Sequence, residues 1–308
     1  MTQSVLILGA SGRFGRNAED AFRSAGWDVR RFDRKTNNLM TSAQGVDVIV
    51  NGWNPLYPDW AKMVPDLHRQ VIEAASASGS TVIVPGNVYV FGAETPGPWS
   101  ASTPHMATNP LGRIRIDMEE AYRASSVRTI VLRAGDFIDT TASGNWFDQV
   151  MSKQLARGRF VYPGNPEIPH AWAYLPDLAR AAVALAEMRA ELPRFSDVPF
   201  AGYTLTGNDL MRGLSRATGK ELTLKRMQWW PLRLARPFWR LAPHLLEMRY
   251  LWDVPHRLDG SFFDELVGDF QSTDLEVALS TSIPPILQPA DGLSPNRPLK
   301  AEVVTQVH

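Results

Sequence analysis

The stretch TVIVPGNVYVFG, residues 81–92, sets an amide, Asn87, two residues before a phenol, Tyr89, where an apolar run breaks at Pro85-Gly86. An amide holds a carbonyl or hydroxyl as donor or acceptor, and a phenol serves as acid or base. The alternative is a plain strand-to-loop exit. A second stretch with chemical content lies near the start. LILGASGRFGR carries Gly9, Gly12 and Gly15 in the spacing G-x-x-G-x-x-G, between an apolar run and an amphipathic one. Glycines so placed give a tight turn, let backbone approach a pyrophosphate, and let helix pack closely on strand. The N–H groups opening the helix then face the phosphates with the positive end of its dipole. Gly9, Ser11, Gly12, Arg13, Phe14 and Gly15 are therefore the candidate phosphate cradle, against a glycine-rich turn that binds nothing.

Such a cradle needs an acidic residue about 20 residues on. Asp33, closing WDVRRFD (27–33), answers to it, and its carboxylate is suited to both hydroxyls of an adenosine ribose. Arg34 and Lys35 follow at once, and either suits a 2′-phosphate unless the pair is a solvated turn. The carboxylate favours NAD, with NADP as the alternative.

The elements that must position these groups alternate along the first half. SVLILG (4–9), WDVRRFD, VDVIVNG (46–52), TVIVPG (81–86) and RTIVLRAG (128–135) read as strands. Between them, RFGRNAEDAFRSAG (13–26), DLHRQVIEAASASG (66–79) and RIRIDMEEAYRAS (113–125) read as helices. The first of these lines up Phe14, Ala18, Ala21, Phe22 and Ala25 on one face. Strand–helix alternation at this spacing predicts a parallel sheet with right-handed crossovers, covered on both faces. LPDLARAAVALAEMRAE (175–191) is a further helix, and from about residue 192 the segments become shorter and more aromatic.

The expected fold is thus α/β: a Rossmann-type doubly wound parallel sheet with a smaller C-terminal α+β substrate lobe. The dinucleotide domain takes 1–145 plus 171–190, the lobe 146–170 and 191–285, and a proline-rich extended tail 286–308.

Composition narrows the function. Of 308 residues, 44% are hydrophobic, and Lys+Arg and Asp+Glu both number 32, so no basic excess points to a nucleic acid. The absence of cysteine excludes disulfides, thiolate metal sites and a catalytic thiol, and the scattered histidines have no ligand spacing. With no signal-peptide pattern and no apolar run of spanning length, a cytoplasmic protein is expected. The segment 225–260 is both aromatic and basic, a combination seen in interfacial membrane helices. Pro231, Pro237 and Pro243 break it into short pieces, which favours a substrate-lobe or dimer contact and no membrane.

The glycine spacing, VDVIVNG, GNVYVFG, VLRAGDF and AYLPDLARA follow one another in an order that resembles the extended short-chain dehydrogenase/reductases, the NAD-dependent epimerase/dehydratases. The resemblance covers about residues 4–190. It implies hydride transfer to or from a bound nicotinamide, a small-molecule substrate and a homodimer.

The family carries Ser, Tyr and Lys, the last two as Tyr-x-x-x-Lys, and here the chain departs from it. Gly86-Asn87 stands at the usual Ser-Ser pair, so Asn87 replaces the serine. In LGRIRIDMEEA, Leu111 falls at the tyrosine and Arg115 at the lysine. The resemblance turns Tyr89 toward substrate, where it replaces the missing acid–base if a cation such as Arg115 lowers its pKa. Arg115 would also hold the nicotinamide ribose. Asn87, Tyr89 and Arg115 are the catalytic candidates.

In VNGWNPLYPDW (50–60) the resemblance passes the cofactor along Asn51, Gly52 and Asn54, with Trp53, Tyr57 and Trp60 walling a pocket; the alternative is a packed, proline-bracketed surface loop. Asp136 replaces an asparagine used near a substrate phosphate, and a carboxylate there repels a diphosphate. His170 falls at the junction of the lobes, where a surface position competes with the cleft. Trp53, Tyr57, Tyr89, Asp136 and His170 are the substrate candidates. The expected function is an NAD(P)-dependent oxidoreductase, epimerase or dehydratase acting on a small carbonyl or hydroxyl compound. The alternative, which the lost Tyr-x-x-x-Lys pair favours, is a non-catalytic NAD(P)-binding redox sensor or scaffold.

Overall fold

The structure is a computed structural model and describes residues 2–288. The expected tail lies outside the described residues from 289 onward, and its first residues close a one-turn 3₁₀ helix, Pro285–Leu287. Among the described residues eleven strands follow in chain order: β1 (Ser4–Leu8), β2 (Asp28–Phe32), β3 (Val48–Asn51), β4 (Thr81–Gly86), β5 (Thr129–Arg133), β6 (Asp136–Ile138), β7 (Arg159–Tyr162), β8 (His170–Tyr174), β9 (Phe195–Pro199), β10 (Tyr203–Leu205) and β11 (Thr223–Arg226). Six form the main sheet in the order β2-β1-β3-β4-β5-β9, every pair parallel.

The central strands are buried on both faces because helices cover each side. On one face α1 (Arg13–Ser24) packs with α5 (Leu175–Glu187) over Val5, Ile7, Ile83 and Ile130. On the other, α3 (Trp60–Ser78) and α4 (Pro110–Ala124) cover Leu6, Leu8, Ile49 and Val84, beside the one-turn α2 (Leu39–Ser42). This is the doubly wound Rossmann-type architecture. It departs from the usual order at one end, where a third strand normally lies outside the second. Here the chain runs from β2 through α2 to β3 on the far side of β1, so β2 ends the sheet.

The lobe is built on β10-β8-β6 and the parallel pair β11-β7, with α6 (Gly207–Thr218), α7 (Trp230–Ala235), α8 (Ala242–Glu247), α9 (Ser261–Val267) and α10 (Leu275–Thr281). Its own core joins Phe160, Trp172, Leu210, Trp252 and Leu279. Residues 195–199, expected with the lobe, instead pair with β5 and complete the main sheet as β9, while residues 171–174, expected with the dinucleotide domain, lie in β8 between β10 and β6. Among the described residues no helix is long and apolar enough to cross a membrane.

Candidate active site

The glycine loop joins β1 to α1. Gly9 is left-handed (φ +72°), and a Cβ there would lie 2.9 Å from the Gly52 carbonyl. A Cβ on Gly15 would overlap the Gly9 carbonyl, so the helix seats directly on the turn. Gly12 is exposed and caps α1 without a side-chain bond, leaving the first-turn amides uncapped. These features fit a pyrophosphate. Gly52 closes the loop from the β3 side, since a Cβ there would come within 2.8 Å of the Leu8 carbonyl. Ser11 is exposed at the cradle, whereas the Phe14 ring is buried in the core and offers only its backbone.

Arg13 is committed in a way the sequence did not foretell. Its guanidinium donates to the Ser143 carbonyl at 2.7 Å and the Gly144 carbonyl at 2.6 Å. One turn on, Arg16 grips Asp139 through both carboxylate oxygens at 2.9 and 2.8 Å. The loop after β6 is thereby strapped to the start of α1.

At the adenosine side, Asp33 uses one carboxylate oxygen to accept its own turn's Lys35 amide at 2.9 Å. Arg34 is an exposed turn residue whose guanidinium lies 5.4 Å over the Trp53 ring, and Trp53 meets Phe32 edge-on at 5.6 Å. Asn51 corrects the expectation of a cofactor ligand. It is buried, its amide donates to the Tyr122 hydroxyl at 3.2 Å and lies 3.2 Å from His68 Nδ1, and its carbonyl takes the Trp53 amide.

The β4 exit is held by two buried arginines. Arg133, at the end of β5, donates to the Asn87 carbonyl at 2.6 Å. Its remaining donors bond Glu119 at 3.3 and 2.7 Å and Asp197 at 3.0 and 2.6 Å. The ligand-type atoms of His105, Glu119 and Asp197 lie within 4.8 Å of one another, but Arg133 already occupies both carboxylates, so the cluster is an ion-pair network. Arg115 donates to the Pro85 carbonyl at 2.7 Å and stacks 5.7 Å over Trp60, leaving Nε without a partner. One terminal nitrogen is thus held by the backbone of β4, while Nε keeps a donor unused. Leu111 is buried where the resemblance puts a tyrosine.

Asn87 and Tyr89 stand at the lip that results. The Asn87 side-chain oxygen accepts the Tyr89 amide at 3.1 Å and caps the 3₁₀ turn Val88–Phe91, which leaves its NH₂ group to donate. The Tyr89 hydroxyl is 2.5 Å from that of Tyr57, which comes from the 3₁₀ turn Tyr57–Asp59 after β3. The lowered pKa expected for Tyr89 is corrected. Burial, then the neighbouring Tyr57 and the Asp136 carboxylate, push this phenol well above its ordinary value. Burial also raises Tyr57, against the opposing hydrogen bond from Tyr89. Both stay protonated near neutrality.

His170 is buried, not on the surface. Its Nε2 meets the Asp136 carboxylate at 2.8 Å, and its ring stacks on Trp252 at 4.4 Å with His256 4.3 Å away. The Tyr162 and Tyr250 hydroxyls and His256 Nε2 are buried without partners. Trp252, edge-on to Tyr162 at 5.8 Å, also stacks on His170, so Tyr162, Trp252 and His256 gather around the Asp136–His170 pair. Sequence reading missed Tyr162, Tyr250, Trp252 and His256; nothing in their spacing marks them.

No family model matches the chain, and no curated protein matches it. Solved structures do. MoeE5 in complex with UDP-glucose and NAD superposes with a TM-score of 0.70 at 16% identity, covering 91% of this chain and 97% of that one. UDP-glucose-4-epimerase from Stenotrophomonas maltophila, with NAD and formylated UDP-arabinopyranose, gives 0.70 at 14%, covering 92% and 96%. TunA, an NAD-dependent NDP-hexosamine 5,6-dehydratase, gives 0.67 at 16%, covering 91% and 96%. The likeness spans both the sheet and the lobe, and it establishes the fold: a Rossmann-type parallel sheet with a C-terminal lobe, as in these NAD-dependent proteins.

Proposed function

We propose that the protein is an NAD(P)-dependent oxidoreductase of the epimerase/dehydratase type, in which Tyr89 has taken over the proton-donating role of the absent Tyr-x-x-x-Lys tyrosine. The observation that carries this reading is the Tyr57–Tyr89 phenol pair, 2.5 Å apart at the carboxyl edge of the sheet, beside the free amide of Asn87. That edge is where ligands bind in open α/β sheets. Gly9, Ser11, Gly12, Gly15 and Gly52, with the backbone amide of Arg13, would hold the dinucleotide's phosphates, with Asp33 and Arg34 at its adenosine end. Bound nicotinamide supplies hydride transfer. Asn87 orients the substrate oxygen by donating to it. Tyr89, a protonated phenol, gives its proton to that oxygen, and Tyr57 holds the Tyr89 hydroxyl in place through the short hydrogen bond.

The substrate this site favours is a small carbonyl or hydroxyl compound. The partly exposed Asp136 carboxylate weighs against the UDP-sugars bound by structural neighbours, because a diphosphate beside it would be repelled. The non-catalytic reading keeps one specific support, the buried Leu111 at the place of the usual tyrosine.

Titration with NADH and with NADPH, followed by energy transfer from the ten tryptophans and by calorimetry, tests the cradle. Saturable binding of one nucleotide is expected. Binding of neither removes the enzyme reading, and binding without turnover on any of a broad carbonyl and alcohol panel favours the sensor.

A further inference from the structure

Large apolar side chains exposed to solvent gather in one short segment of the lobe. Trp230, Leu234 and Phe238 recur every fourth residue and are 59%, 67% and 91% exposed, with Trp239 beside them. The amides of Phe238 and Trp239 both bond the Ala235 carbonyl, at 3.0 and 2.8 Å, so helical winding continues past α7 and keeps the three on one side. The segment is not a loose flap. Trp229 and Leu232 are buried beneath it, and Trp229 Nε1 donates to the Pro163 carbonyl at 2.7 Å.

Its charge is one-sided. From Leu222 to Leu246 there is no Asp or Glu, while Lys225, Arg226, Arg233, Arg236 and Arg240 are all exposed, in a chain whose net charge is zero. Arg240 pairs with Asp59 at 3.0 Å, which ties the segment to the 3₁₀ turn that carries Tyr57. The patch therefore borders the candidate active site. Protruding aromatic and aliphatic side chains interleaved with arginines, with no acid among them, complement an anionic bilayer surface.

We propose that residues 230–240 seat the protein on an anionic lipid surface. Trp230, Leu234 and Phe238 enter the headgroup boundary, and Arg233 and Arg236 pair with lipid phosphates. The prolines that break the segment prevent a spanning helix but not a helix turn lying in the interface. This proposal departs from the sequence expectation of no membrane partner.

Co-sedimentation with vesicles of phosphatidylcholine, with and without phosphatidylglycerol, tests the proposal. Binding to the anionic vesicles only, weakening with salt, is expected. Arg233→Gln with Arg236→Gln should weaken it roughly tenfold or more. Leu234→Ser with Phe238→Ser should abolish it at low salt. All four positions are exposed, so circular dichroism and the melting temperature should not change. No sedimentation with anionic vesicles, or sedimentation indifferent to the apolar substitutions, overturns the proposal. A dimer in ultracentrifugation that Phe238→Ser breaks, with no vesicle binding, also overturns it and assigns the face to a second copy.

Discussion

The hydroxyls of Tyr57 and Tyr89 stand 2.5 Å apart although they come from loops after different strands, β3 and β4. So short an approach makes one phenol the donor and the other its acceptor. Tyr89→Phe should lower turnover by about a hundredfold or more, the usual scale of a lost proton donor. Cofactor affinity should stay within a few-fold. Tyr57→Phe should reduce the rate less, because the donor remains. Steady-state kinetics with a calorimetric control on NAD(P)H binding checks both, and a Tyr89→Phe enzyme of normal rate removes the phenol from the mechanism.

The pH profile of reduction follows from the same pair. Burial first, then Tyr57 and Asp136, hold the Tyr89 proton on. A group that works as an acid is active below its pKa, so the reductive rate should show no alkaline limb between about pH 7 and 9.5. A tyrosine lowered by a cation would show one there. A fall in rate near pH 8 in this chain, absent in Tyr57→Phe, would contradict the raised phenol.

Stability should fall on mild acidification because two histidines are buried neutral. Burial, then the Arg115 charge, takes His68 down to about 3; burial, then His170, takes His256 to about 3. Unfolding restores an ordinary value near 6.5, so below it the unfolded chain binds protons the folded one refuses. Stability is full above about pH 6.5 and declines toward pH 3. Each histidine should account for about 2 kcal/mol between pH 6.5 and 5. Urea midpoints at pH 7 and pH 5 measure this, and His68→Gln should flatten the dependence.

Arg133 is a buried cation with two buried carboxylates, and losing it strands both. Arg133→Met should destabilise the fold by about 3–5 kcal/mol. Burial works to raise Asp197, but the Arg133 charge and the hydrogen bonds from His105 and Arg133 outweigh it and hold Asp197 below its ordinary value. Its contribution is therefore present above about pH 4 and disappears as the pH falls further. Glu119→Gln with Asp197→Asn should recover part of the loss in Arg133→Met, read by denaturant unfolding.

What the sequence disclosed and what it hid follow from range. The strands and the glycine loop are written in local periodicity and in a turn that tolerates no Cβ at Gly15, so Gly9, Gly12 and Gly15 are visible without a structure. Asn87 and Tyr89 are visible because a strand breaks between polar groups. The direction of the Tyr89 shift was not, since Asp136 and Tyr57 come from other elements. Arg133 looks like any strand residue until Glu119 and Asp197 are brought to it, the latter from 64 positions away. His170 in HAWAY carries no sign of burial, because its stacking partner Trp252 belongs to a distant turn.

The placement of β2 at the end of the sheet has a consequence for assembly. A terminal strand leaves one row of amides and carbonyls open to recruit a strand from another molecule. Here that row belongs to DVRRF, whose Asp28, Arg30 and Arg31 are exposed, with Arg30 paired to Asp28 and Arg31 to Glu19. Charges of this kind oppose strand recruitment. The opposite margin, β9, ends in Pro199, which has no amide to offer, and is packed by α9. Copies of this chain that associate will therefore do so through helices or the lobe, and neither margin is built to extend the sheet into a fibre.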